Sequence, residues 1–136
     1  MLSKTIKFID FNGEEAEEKH YFNITEAEAV RLDVKFGVGG LVKYIENIDV
    51  QEKPEEIMTL FEEILTMAYG KKSPDGRKFL KSKEATEEFK QTAAYSSLFV
   101  SLIRDAEYAA TFFQRVLSKT AIPTKEETSS PNGVSK

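Results

Sequence analysis

The chain has 136 residues, 40% of them apolar and 31% charged, with a net charge of −4 and no cysteine. That length suits one hydrophobic core and not two, and the missing cysteines exclude disulfides and thiolate zinc sites while suiting a reducing compartment. The acidic balance argues against general nucleic-acid binding, because affinity for phosphate backbones comes from cations.

Two β-like runs come first, Lys4–Phe11 and Lys19–Ile24, rich in Ile, Phe and Tyr. Asn12-Gly13 between them is a hairpin signal, since both residues tolerate positive φ. Glu14–Glu18 then forms the solvated tip or the start of the return strand. A lone hairpin is marginal in water, so it needs a surface to pack on. The opening MLSKTIKFID lacks the apolar run of a signal peptide, and nothing approaches the roughly 18 apolar residues of a membrane span.

Helices follow. Thr25 and Glu28 make a T-x-x-E capping box, which marks Thr25 as an N-cap. That helix is expected to run to about Phe36, with Gly37 as its stop. Val38, Leu41, Val42, Ile45 and Ile48 recur at 3–4 spacing and predict a second short helix. Pro54 suits the first residue of a third, whose stripe is Ile57, Leu60, Phe61, Ile64, Leu65 and Ala68, with Gly70 ending it. Ser82 is expected to cap a fourth helix reaching about Arg104, with Phe89, Tyr95, Leu98, Phe99 and Leu102 inward. Asp105 caps the fifth, which carries Ala106, Ala109, Ala110, Phe113, Val116 and Leu117. Residues 120–136 are polar, with two prolines and a glycine, and read as a disordered tail. The expected fold is α+β and mainly helical: an N-terminal β-hairpin, about five helices, one domain over residues 1–119 and a disordered tail.

Residues 71–83, KKSPDGRKFLKSK, stand out electrostatically. Six cations and Asp75 give this loop +5, against −9 for the remaining chain. The preceding Gly70-Lys71 suggests phosphate binding, but Walker-A needs G-x-x-x-x-G-K-[ST] after a strand. Lys72 replaces the Ser or Thr, Leu65 replaces the first glycine, and a helix precedes. Lys71 and Lys72 favour a helix C-terminus, and Ser73-Pro74-Asp75-Gly76 fits a type I turn. Phe79 and Leu80 are expected to anchor the returning chain. The alternative is that Lys71, Lys72, Arg77, Lys78 and Lys81 dock an acidic partner, or another copy's acidic hairpin tip.

Other chemistry is sparse. His20 is the only histidine, which excludes multi-histidine metal sites and makes a plain strand residue its expected role. Glu14-Glu15, Glu55-Glu56 and Glu87-Glu88 fall at turns or helix starts, where acids favour the dipole or solvate a face. No catalytic residue, metal site or cofactor is expected, and the chain does not read as an enzyme. Tyr108 and Phe112 lie off the last helix's main stripe, and Tyr95 and Phe99 repeat the i, i+4 spacing one helix earlier. Such a second apolar face is either buried or held for a partner, so these four aromatics are the candidate partner-binding residues.

The segments ITEAEAVRLDVKFGVGGLVKYIENI, AYGKKSPDGRKFLKS and EEFKQTAAYSSLFVSLIRDAEYAATFF carry a resemblance to a known family. Tyr69, Gly70, Ser73, Asp75, Gly76, Phe79, Lys81 and Ser82 form its first run. Phe89, Gln91, Thr92, Ala94, Tyr95, Leu98 and Phe99 form its second. Over roughly residues 20–117 the chain resembles the tail assembly chaperones of long-tailed, siphovirus-like bacteriophages. Tyr108 and Phe112-Phe113 depart from the Ala-rich final helix of that pattern, and the tail after Thr120 matches nothing in it.

The resemblance implies a non-enzymatic protein of the host cytoplasm, absent from the finished particle. It would keep the long helical tape measure protein soluble until tail tube protein polymerises around it. The family often makes a short form and a frameshifted long form, and this chain, with no second domain, would be the short form. Homo-oligomers are compatible with it, whereas nucleic acid and membrane are not expected partners. Two other readings stay open: a structural tail protein that remains in the virion, and a small nucleic-acid-binding regulator using the basic loop.

Overall fold

The computed structural model describes residues 1–37, 40–47 and 51–117. Strands β1 (Leu2–Ile9) and β2 (Glu15–Phe22) form an antiparallel hairpin paired from Leu2↔Phe22 to Ile9↔Glu15. Strand alternation buries Leu2 and Ile6 and brings Phe8 partly inward. The hairpin is longer than the two apolar runs suggest, because Glu15 to Glu18 belong to the return strand. Its five-residue connection is organised by Asp10, whose carboxylate accepts the N–H groups of Asn12 (2.9 Å) and Glu14 (3.0 Å). Such an Asx-type closure replaces the two-residue Asn-Gly turn.

Helices α1 (Glu26–Phe36), α2 (Gly40–Asn47) and α3 (Pro54–Ala68) follow. The Thr25–Glu28 capping box is present in both directions, with N···O distances of 2.9 and 3.2 Å. Gly37 closes α1, and Pro54 opens α3. Val38 and Ile48, expected on the second helical stripe, lie outside the described residues, as does the expected tail. Tyr44 Oη donates to Glu56 at 2.6 Å and ties α2 to α3.

The structure then departs from the expected connection. The segment after α3 is a second hairpin, β3 (Tyr69–Lys72) and β4 (Phe79–Leu80). Tyr21↔Gly70 and Phe22↔Tyr69 join it to the first, giving one four-stranded sheet in the order β1-β2-β3-β4. A four-residue polar strand leaves no usable periodicity, so only its pairing partner makes it a strand.

Ser82 caps α4 (Lys83–Lys90) as expected, accepting from the Ala85 N–H at 2.9 Å. The expected single helix to Arg104 is instead two, α4 and α5 (Ala93–Arg104). Thr92 makes the break: its hydroxyl donates to the Phe89 carbonyl (2.6 Å) and accepts from the Tyr95 N–H (3.1 Å). A threonine that bonds backbone on both sides competes with helix continuation and restarts it as an N-cap. Asp105 accepts from the Tyr108 N–H at 3.1 Å at the start of α6 (Ala106–Leu117). Six helices therefore stand among the described residues, in an α+β arrangement.

Helix α5 packs on β1 and α6, and α2 packs on α6 and α1. The core between them holds Phe22, Phe61 and Phe113, all essentially without exposure. Phe22 meets Phe112 at 5.5 Å and Phe61 meets Phe113 at 5.2 Å, both edge-on, the geometry favoured by the aromatic quadrupole. Phe22→Ala should cost about 3–5 kcal/mol by denaturant unfolding, because the site is enclosed by rings that cannot collapse.

A second expectation concerns alkaline pH. Burial, and secondarily the Glu62 carboxylate, push the Tyr95 phenol up to about 12. An unfolded tyrosine ionises near about 10, so the folded state holds the proton more tightly. The stability linked to Tyr95 is full below about pH 10 and is lost as pH rises to 12. Tyr95→Phe should therefore flatten the decline of stability across that window relative to the unaltered chain, as read from unfolding midpoints.

Candidate functional site

The basic segment is an ordered hairpin and not a loose loop. The Gly76 N–H donates to the Ser73 carbonyl and the Ser73 N–H to the Lys78 carbonyl, both at 2.9 Å. Asp75 accepts from Ser73 Oγ (2.6 Å) and the Arg77 N–H (3.0 Å). Those bonds, the Ser73 hydroxyl first, hold its carboxyl below the usual range. Gly76 takes φ of +75°, a conformation that costs an L side chain about 1–2 kcal/mol. Gly70 serves a different need. A Cβ there would come within 2.6 Å of the Phe79 ring and 3.0 Å of the Leu80 carbonyl oxygen. The missing side chain is what lets the two strands close.

The five proposed docking cations separate into two groups. Lys71, Lys72, Arg77 and Lys78 are exposed. Lys72 lies over the Tyr21 ring, 4.8 Å from its centroid. Lys81 is committed inside the fold: its ammonium donates to Glu28 at 2.6 Å, with both side chains mostly covered. Burial alone would raise the Glu28 carboxyl, but Lys81 and the Thr25 N–H outweigh it and leave it lowered. The exit of the basic hairpin is thus locked to the first turn of α1.

The four candidate aromatics do not form one surface either. Phe112 is 2% exposed and packs against Phe22, Tyr108 and Phe113, so it is a core ring that presents nothing to a partner. Phe22, arriving from the sheet, supplies the cover that helix spacing alone could not reveal. Tyr95 and Phe99 are half-buried and stack on each other at 5.9 Å, while Tyr108 sits beneath the Lys4 ammonium at 5.2 Å. His20 lies against Phe89 (4.7 Å) and Tyr69 (5.8 Å) and bonds Glu18 at 2.9 Å, a packed strand residue. No group of acids and histidine suited to a metal occurs among the described residues, and no helix there is long and apolar enough to cross a membrane.

Apolar surface remains elsewhere. On α1, Ala29, Leu32 and Phe36 face the core, while Val30 and Val34 are 60% and 83% exposed. Val30 and Val34, one turn apart, make a second apolar stripe, present in the sequence as an i, i+4 valine pair but weaker than the inward one. A groove is lined by Arg31, Leu32 and Lys35 from α1 and Leu60, Ile64 and Met67 from α3. The Lys35–Glu63 pair, 3.9 Å apart, spans it from helix to helix. A groove with an apolar floor between two helices is the form that receives a third.

A family model described as phage tail assembly chaperone matches residues 1–132. No curated protein and no solved structure matches the chain.

The close approach at Gly70 gives a measurable expectation. Gly70→Ala should lower stability by about 1–3 kcal/mol, the usual range for overpacking. In a Phe79→Ala background the same change should cost less, because the clashing ring is gone, and a double-mutant cycle reads the coupling.

Proposed function

Since this chain belongs to the phage tail assembly chaperone family, we propose that it binds apolar helical segments of the tape measure protein. It keeps that protein soluble and promotes assembly of the tail tube around it. The reading extends to a short form acting in the host cytoplasm, leaving before the particle is finished, with tail tube protein or a longer frameshifted form as its other partner. Its work is binding and not catalysis.

The observation that carries it is the outward apolar stripe of α1, Val30 and Val34, together with the α1–α3 groove over Leu32, Leu60, Ile64 and Met67. A tape measure outside its tube exposes long apolar helix faces, which aggregate unless covered. Amphipathic segments laid in the groove and against the valine stripe would bury these surfaces. Arg31 and Lys35 on one wall, with Glu62 and Glu63 on the other, keep the rim polar and the free chaperone soluble. The partly exposed rings of Tyr95, Phe99 and Tyr108 supply further contact area, with Phe112 supporting them from the core.

Co-expression tests this. The unaltered chain should hold the tape measure protein in the soluble fraction and co-purify with it. V30D/V34D should lose that capture while its own stability changes by no more than about 0.5 kcal/mol, since both positions are on the surface. A tape measure that stays insoluble beside the unaltered chain would sink the proposal. So would finding this chain stoichiometrically in purified virions.

A further inference from the structure

The turns of the two hairpins carry opposite charge. Residues 10–18, DFNGEEAEE, hold five acids and no cation, for −5, whereas Lys71, Lys72, Arg77 and Lys78 against Asp75 give the β3–β4 hairpin +3. The sheet places them side by side. β3 runs antiparallel to β2, so the Ser73–Lys78 turn points toward the same end of the sheet as the turn at residues 10–14. Yet among the described residues no ion pair joins the two hairpins. Glu17 pairs with Lys7 and Glu18 with His20 inside the acidic hairpin, while Lys81 turns away to Glu28.

Two further features mark this end of the sheet as an uncovered surface. Phe11, in the acidic turn, is 85% exposed, and Ile9 beside it is 57% exposed. Only Tyr21 and Phe22 of β2 pair with β3, so residues 15–20 have no strand on that side. A cleft opens where β3 peels away, lined by Lys19, His20, Tyr21, Lys71 and Lys72. An open edge beside exposed aromatic surface invites association, and charge is the usual means of choosing the partner.

We propose that two copies of this chain pair through these hairpins, the acidic hairpin of each against the basic hairpin of the other, with Phe11 covered at the contact. Because both hairpins lie at one end of one sheet, a two-fold axis satisfies both contacts together and closes the pair. The charge complementarity within a single sequence is what selects a second copy as the occupant. The proposal does not depend on the tape measure reading.

Analytical ultracentrifugation of the full chain tests it. The chain should sediment as a dimer at about 0.05 M salt, and its association constant should fall at least about tenfold at 0.5 M, where screening is nearly complete. E14K/E15K/E17K and K71E/R77E/K78E alter exposed positions, so each should keep the fold by circular dichroism and be monomeric alone at low salt. Mixed together, the two variants should pair with each other, since their reversed hairpins are complementary again. A chain that is monomeric at low salt, or one whose dimer ignores both salt and charge reversal, would overturn the proposal. Failure of the two folded variants to pair would do the same.

Discussion

Tyr69 stacks on Phe89 with ring centroids 4.2 Å apart and planes 4° from parallel, and much of the molecule is arranged around that contact. Tyr69 stands where α3 ends and β3 begins, and Phe89 sits in the last turn of α4. Joining them fixes the helix-to-strand turn and holds α4 against the sheet. Phe22 meets the same pair edge-on or tilted at 6.0 Å and continues to Phe112 and Phe113, while Tyr95 meets Phe89 at 5.5 Å. One chain of rings thus runs from the sheet through four helices. Each such ring contact contributes about 0.5–1.5 kcal/mol beyond area burial, and a connected chain makes the parts cooperative.

The residues that carry the family resemblance turn out to be builders of this frame. Gly70 admits Phe79, Ser73 and Asp75 tie the turn that Gly76 completes, and Lys81 and Ser82 hold two different helix starts. Thr92 divides α4 from α5, and Ala94 and Leu98 are buried behind it. A motif dense in glycine, aspartate and lysine invites a reading as ligand chemistry. Here those residue types serve backbone geometry and one partly covered ion pair. Exposed apolar side chains lie away from those residues, at Val30 and Val34 on α1 and at Phe11 in the first hairpin turn.

That division suits the proposed role of covering another protein. Binding apolar helices requires exposed apolar area, yet the unbound protein must not aggregate. The exposed valines are set among charges of both signs and Phe11 among acids, which keep the uncovered surfaces from unwanted association while leaving contact area available. The buried ring chain beneath lets these surfaces stay exposed, because stability comes from the core and not from them.

Whatever is settled within a few residues was legible in the chain. The T-x-x-E cap of α1, Ser82 and Asp105 as caps, Pro54 at the start of α3, the turn at Gly76 and the helical stripes are all local choices. Tertiary structure decided what depends on distant partners. Tyr69–Lys72 becomes a strand because β2 offers it hydrogen bonds. Phe112 becomes core because Phe22 arrives from 90 positions away in sequence. The outer stripe of α1 was present in the letters, but burial elsewhere chose which of its two apolar faces the molecule would keep. Periodicity reports that a face is apolar; only packing determines whether anything covers it.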